Sequence, residues 1–451
     1  MKKKRKKQRG VALVLVLGSI AIMTIMLTEF QDEATGELSA ALADRDALKA
    51  EYLARSGINL SRLLIASEKI IRQPLSFLVR SQIPVWEFSD KILGAFNDKE
   101  ASADFMALTN TDLSRGKNLG IEGGRFDVDI VDEDAKLNVN VAARGDAFSQ
   151  TRLAAQLLGV MAGDQFTPMF ERRDRDDSFT DRATICGAII DWADSDEDMN
   201  ACDPYSASAS TKATEDISYQ LLKKPFFRKN APYDSLEELH LVRGVGDDFW
   251  ATFVDPEPGK PKKRVMTVWG QGAVNVNTAN AQTLLALVLA GAKKSKMWTD
   301  PTEMQNFLLG LTLLRTVTAG IPLFGSGQDF LNAMQGQGKM NLPQLIGITP
   351  VQFDAMDRLK NAVTAESLVF SIYSDGVVPG YQRKTRVRIH AVVDFRTAPP
   401  PVAAPPPGAS GSASPPSAPP PPPGSPASAQ DAITAAMQPD PGGTFIYYRI
   451  E

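Results

Sequence analysis

Apolar and polar positions separate sharply at the start of the chain. Val11 to Leu27 (VALVLVLGSIAIMTIML) holds seventeen residues without a charge, near the shortest run that crosses a bilayer core of roughly 30 Å. Charged residues enter after it, but apolar positions persist at helical intervals: Leu38, Ala41, Leu42, Leu48, Tyr52, Leu53, Ile58, Leu60 and Leu63. No proline falls between Glu29 and Ser67, and glycine occurs there only at 36 and 57. The spacing predicts one helix over 11–67, apolar first and amphipathic later.

The period then changes. Pro74 and Pro84 break the pattern, and 88–108 reads as mixed helix. Arg125–Asp132 (RFDVDIVD) alternates with period two, as a half-buried strand does. Lys136-Leu-Asn-Val-Asn140 reads as a second strand after a short turn. From Val141 to Ala365 the texture is helices and loops. Ser367–Tyr373 and Thr385–Phe395 read as strands, with Asp375-Gly376 as a turn signal between them. Residues 397–430 hold fourteen of the thirty prolines, a composition that cannot bury a core. Phe445–Ile450 returns as a short β-type run. It reads either as a last strand beside 385–395, closed by a long loop, or as an incidental apolar run in a tail.

Charge adds orientation. The net charge is −4, yet seven cations lie in the first nine residues, so the rest of the chain carries −11. A basic flank ahead of an apolar run keeps that end cytoplasmic and exports the remainder of the chain. The body is too acidic for a general nucleic-acid surface. Two cysteines and two histidines are too few for a zinc enzyme and leave little for triad chemistry. No Walker A or G-x-S-x-G motif occurs.

Arg9-Gly10-Val11 places a glycine directly before the apolar run. A plain signal anchor is one reading. The other is a resemblance: basic leader, Gly, apolar helix and amphipathic continuation look like type IV pilins and pseudopilins, whose peptidase cuts between the positions held here by Gly10 and Val11. The order of later features, with a strand, "KLNVN", a helical insert of over 200 residues and returning strands, resembles the K-type minor pseudopilins of type II secretion. Pilin-like subunits usually carry Glu at the fifth mature position, where this chain has Leu15. In the family that Glu meets the N-terminal amine of a subunit further up the filament, so Leu15 suits a subunit with nothing above it.

Asp191, Asp194, Asp196, Asp198 and Asp203 form the densest carboxylate cluster. By composition it is either a solvated loop or an oxygen-rich site of the kind calcium takes. It is no EF-hand, since Met199 and Tyr205 stand where Gly and Glu are needed. The resemblance implies calcium through a "DWxDxD" segment, matched by Asp191, Asp194 and Asp196, with Asp198 and Asp203 as further candidates. Cys186 and Cys202 flank this loop. They read either as a disulfide formed in an oxidising compartment or as separate buried thiols.

Tyr233–Gly246 and Met340–Pro350 both read as helix, short Gly turn, next helix, the second preceded by Val274-Asn-Val-Asn-Thr-Ala279 and a helix over 280–291. Such turns elsewhere hold DNA phosphates, so the alternative function is a membrane-anchored DNA-binding or uptake protein. Acidic neighbours Glu237, Glu238, Asp247 and Asp248 favour packing units instead, with no nucleic acid expected.

The resemblance therefore implies an α+β fold: a pilin-like long N-terminal helix with a small antiparallel sheet, interrupted by a large all-α inserted domain with helix-hairpin-helix-like repeats. The expected segments are a leader (1–10), membrane and spine helix (11–67), a first pilin-like α+β segment (68–141), inserted domain (142–365), pilin-like strands (366–396), Pro-rich loop (397–430) and C-terminal strand (431–451). It implies a non-enzymatic tip subunit, single-pass in the inner membrane with its bulk in the periplasm. The implied partners are I- and J-type minor pseudopilins, the pseudopilus and prepilin peptidase.

Overall fold

The computed structural model describes residues 10–75, 84–97, 123–174, 177–204, 210–214, 216–318, 321–338, 340–354, 356–380, 383–399 and 440–451. Helix α1 runs Val11–Leu75 without a break, past the expected end at 67. Residues 11–42 are exposed along their whole length. From Asp46 onward one face goes under, at Ala50, Leu53, Ala54, Ile58, Ser61 and Ile65, the three-and-four spacing of a single helix face. Among the described residues α1 is the one helix long and apolar enough to cross a membrane. A short helix, α2 (Ser89–Gly94), precedes strand β1 (Arg125–Asp132). Much of the 88–108 stretch expected as helix lies outside the described residues.

The insert comes next. It contains, in order, β2 (Leu137–Asn138), α3 (Ala147–Val160), α4 (Arg182–Ala193), β3 (Asp198–Asn200), β4 (Ser210–Thr214), β5 (Met266–Thr267), β6 (Val274–Asn275), α5 (Ala281–Gly291), α6 (Pro301–Val317) and β7 (Val363–Thr364), with shorter helical turns between. The insert is helical as expected, with three small two-stranded pieces, β2–β5, β3–β4 and β6–β7, among its helices. The expected strand at 136–140 is corrected. It shrinks to β2, which pairs in parallel with β5 rather than beside β1.

The reason lies in the asparagines. Asn138 Oδ1 accepts from Asn140 N–H (2.9 Å) and turns the chain. The Asn140 amide then accepts from Tyr233 N–H (2.7 Å) and donates to the Tyr233 and Val268 carbonyls (both 2.9 Å). A side chain thus supplies the pairing that a strand would otherwise supply. The second half repeats the plan. Asn275 Oδ1 accepts from Asn277 N–H (2.9 Å), and the Asn277 amide accepts from Leu323 and Phe324 N–H and donates to the Phe324 carbonyl. β6 pairs in parallel with β7 as β2 does with β5. Each half launches a capped helix, α3 from Asp146 and α5 from Asn280. The two helices cross so closely at Gly159 that a Cβ there would stand 2.5 Å from the Ala286 carbonyl oxygen.

After the insert come β8 (Val369–Pro379), β9 (Lys384–Asp394) and β10 (Thr444–Ile450). With β1 they form one antiparallel sheet in the order β1-β8-β9-β10. The turn expected at Asp375-Gly376 is absent, because β8 runs straight through it. Gly376 is needed for approach rather than for turning: a Cβ there would lie 1.8 Å from the Ala50 carbonyl oxygen of α1. Asp375 sits across from β9 and accepts from both Arg386 (2.6 Å) and Arg388 (2.9 Å). β10 pairs with β9, Tyr448 opposite Ala391 and Arg449 opposite His390. The Pro-rich 400–439 lies outside the described residues. The buried face of α1 and one face of the sheet form one core, and the insert forms a separate, larger one.

Candidate functional site

The N-terminal features sit where α1 starts. Gly10 precedes the helix, and its carbonyl accepts from Val14 N–H (3.2 Å). Val11 is the first helical residue. Leu15 is 66% exposed, and its carbonyl takes a bond from Ser19 Oγ (2.9 Å). Glu29 is the first charged side chain on the helix.

The acidic loop leaves the end of α4. Cys186 and Cys202 are joined by a disulfide with Cα atoms 5.8 Å apart, at a sequence separation of 16. In the chain-entropy model a loop of this size contributes about 3 kcal/mol. Asp191 is buried and accepts from Asn200 N–H (2.9 Å), tying β3 back to α4. Asp194 is 2% exposed. One of its oxygens accepts from Gln150 Nε2 (3.1 Å), while Oδ1 is buried with no hydrogen-bond partner among the described residues. Burial, reinforced by Asp196 and opposed by Arg228, pushes Asp194 up to about 7. Asp196 caps Asp198 N–H (2.9 Å), and its carbonyl accepts from Arg228 (2.6 Å). Asp198 and Asp203 are exposed. Among the described residues no three His, Cys, Asp or Glu side chains converge as a metal requires. The donor set therefore fits a cation in part: Asp194 has a free buried oxygen with Asp196 beside it, while Asp191 is turned to backbone.

The second Gly turn begins as expected, with a helix at Leu342–Ile346 closed by Gly347 in the left-handed region, and the first departs from the plan. The first is a 3-10 turn (Leu236–Leu241) boxed by Ser235 and Glu238, then a short helix passing into a π turn at Trp250–Val254. Gly244 and Gly246 face a hollow that Arg172, Arg173, Asp174, Asp247 and Asp248 share. Arg172 pairs with Asp248 and Arg173 with Asp177, so each described arginine at this hollow is met by a carboxylate.

The sequence reading missed the junction between sheet and insert. Asp132, Glu133 and Asp134 are all buried at the end of β1. Asp132 accepts from Ser367 Oγ and Thr278 Oγ1 (both 2.5 Å). Asp134 accepts from the N–H groups of Gln271 (2.7 Å), Leu368 (2.7 Å) and Val369 (3.1 Å). Glu133 accepts from Lys136 Nζ (2.9 Å) and from Thr267 Oγ1. Burial raises Asp132 and Asp134, and for Asp134 the neighbouring Asp132 charge adds to it. Burial acts the same way on Glu133, but Lys136 and the hydroxyls outweigh it and hold that carboxyl low. Three consecutive acids at a strand end, with Lys136 two residues beyond them, were the available signal.

Beside the junction, a cleft of about 470 Å³ separates the outer sheet face from the insert. Tyr373 stacks on His390 with ring centres 4.2 Å apart, Tyr447 tilts onto His390 at 5.0 Å, and Trp269 meets Tyr447 at 5.8 Å. Burial lowers His390 to about 4, so its ring is neutral in the cleft wall near neutral pH.

No family model matches the chain, and neither does any curated protein. A structural likeness is found to a chain of the GspK–GspI–GspJ complex from the type 2 secretion system of enterotoxigenic Escherichia coli. It has 16% identity and a TM-score of 0.36, and covers 60% of this chain and 75% of that one.

Proposed function

We propose that the chain is a K-type minor pseudopilin, a non-enzymatic subunit at the tip of a type II secretion pseudopilus that starts or caps its assembly. One observation carries the reading: an uncharged, bare helical segment from Gly10 to Thr28 runs without a break into a helix packed on an antiparallel sheet, and that sheet is interrupted by a helical insert. In this reading prepilin peptidase cuts between Gly10 and Val11, and the helix stays as a single-pass inner-membrane anchor with the rest in the periplasm. A lone carboxylate in an apolar spine needs a partner. Leu15 removes that need, which suits a subunit with none above it, and the insert adds bulk that hinders stacking. I- and J-type subunits are the proposed neighbours. Calcium is proposed at Asp194 and Asp196, with Asp191, Asp198 and Asp203 as more distant contributors.

N-terminal sequencing of the membrane form, made with and without prepilin peptidase, tests this. The expected mature start is Val11, only when the peptidase is present. Any other start sinks the pseudopilin reading.

A further inference from the structure

The two edges of the sheet are finished differently. β1 carries Arg125, Asp127 and Asp129 at alternate outward positions and is flanked by α2. Charge and cover of this kind keep an edge from pairing. β10, the opposite edge, carries one charge, Arg449, and no covering element among the described residues. It exposes Phe445, Ile446, Tyr448 and Ile450, and contains no Lys or Pro.

Register shows which backbone groups of β10 are open. Glu451 exchanges both bonds with Arg388 (2.8 and 3.2 Å). Antiparallel alternation then turns Arg449 and Tyr447 toward β9 and leaves the N–H and C=O groups of Tyr448 and Ile450 facing away. Water can meet these groups, and an added extended strand can take its place along the whole row.

The same edge borders the aromatic cleft. Tyr373, His390, Tyr447, Arg449 and Glu451 line its sheet side, and Trp269 and Glu237 lie across it on the insert. A strand added about 4.8 Å from β10 sends every second side chain into that cleft. Most charges there are already met: Lys136 by Glu133, Arg264 by Asp255 and Asp234 by Lys229. Glu237 makes no close ion pair among the described residues; Arg449, the cation on the sheet side of the cleft, is paired with Glu451 at 3.7 Å and feels Glu237 from farther off. A carboxylate beside aromatic faces suits an incoming Lys or Arg side chain.

We infer that β10 is a docking edge: an extended segment of another minor pseudopilin adds to it as a fifth strand and places a basic side chain in the cleft formed by Trp269, Tyr373, Tyr447 and Glu237. Backbone bonds supply affinity in this mode and the alternate-residue pocket supplies selectivity. The inference rests on the assembly reading above.

The test uses the full chain in detergent, alone and co-expressed with the I- and J-type subunits of its own system, with amide hydrogen exchange as readout. The amides of Tyr448 and Ile450 should exchange freely in the chain alone and slow by about tenfold or more in the complex, while Tyr447 and Arg449 stay protected in both. Tyr448→Pro removes an outward N–H without touching the β9 ladder and should weaken assembly about tenfold or more. Glu237→Gln, on the insert side, should weaken it several-fold. A complex in which Tyr448 and Ile450 exchange unchanged overturns strand addition and leaves the assembly reading standing. Absence of any complex overturns both. Protection that appears with self-association of the chain alone makes the occupant a second copy and overturns the heterologous strand.

Discussion

The chain holds two cores that bury backbone in different ways. In the sheet unit, long antiparallel ladders satisfy the main chain, and side chains are left to pack on α1 or pair across strands, as Asp375 does with Arg386 and Arg388. Among the described residues, the strand pieces of the insert are two to five residues long. There, single amides close the accounts: Asn140 holds Tyr233 and Val268, and Asn277 holds Leu323 and Phe324. A ladder spreads its stability over many equivalent bonds. A network of side chains concentrates it in a few, so point substitutions should act unevenly on the two units.

The largest effect should fall where the units meet. Lys136→Met strands Glu133 as a buried unpaired charge, which costs about 3–5 kcal/mol. Thermal melting should register it, and hydrogen exchange should rise in both units. Adding Glu133→Gln should recover much of the loss. Next, Gly376→Ala drives a methyl into the Ala50 carbonyl and forces α1 off the sheet, at roughly 3 kcal/mol. Amides of β8 and β9 should lose protection while those of α5 keep theirs; equal loss in α5 would erase the distinction between the units. Asn140→Ala should do the reverse at about 2–3 kcal/mol, orphaning Tyr233 N–H, with α3 and β5 exposed and β8 unchanged.

The most gradual effect is a pH slope in the insert. Asp194 is raised to about 7 in the folded chain, against an ordinary value of about 3.9 in the unfolded one. Between those values the folded state holds a proton that the unfolded state has released. Stability therefore falls as pH rises from about 4 to 7 and levels off above. Asp194→Asn should flatten the slope. If calcium binds there, it should raise the wild-type melting temperature at pH 8 and leave the variant unmoved.

Much of the sheet unit was legible because its signals are periodic. Arg125–Asp132 alternates cleanly and is a strand with those ends, and Thr385–Phe395 differs from β9 by one residue at each end. The same local reading failed at Asp375-Gly376, a turn pair by composition. Nothing nearby in sequence reveals that Ala50 passes over Gly376 and that two arginines of the next strand hold Asp375. It failed again at Lys136–Asn140, whose alternation suggests a strand beside β1. The asparagines there serve partners about a hundred residues away. At the acidic loop the carboxylates were visible, but not their division of labour, with Asp191 on backbone and Asp194 with a spare oxygen.

By itself the sequence determined the uncharged run from Gly10 to Thr28, the continuous helix after it, and the strands β1 and β9 of the sheet. Each arises from the order of apolar and polar residues within a turn or two, which is a local property. The tertiary structure alone decided which carboxylates are buried, which glycine admits a neighbouring backbone, and that β10 is an open edge beside an aromatic cleft. Those depend on what each polar group meets across the fold, and such partners are set by long-range packing rather than by neighbours in the chain.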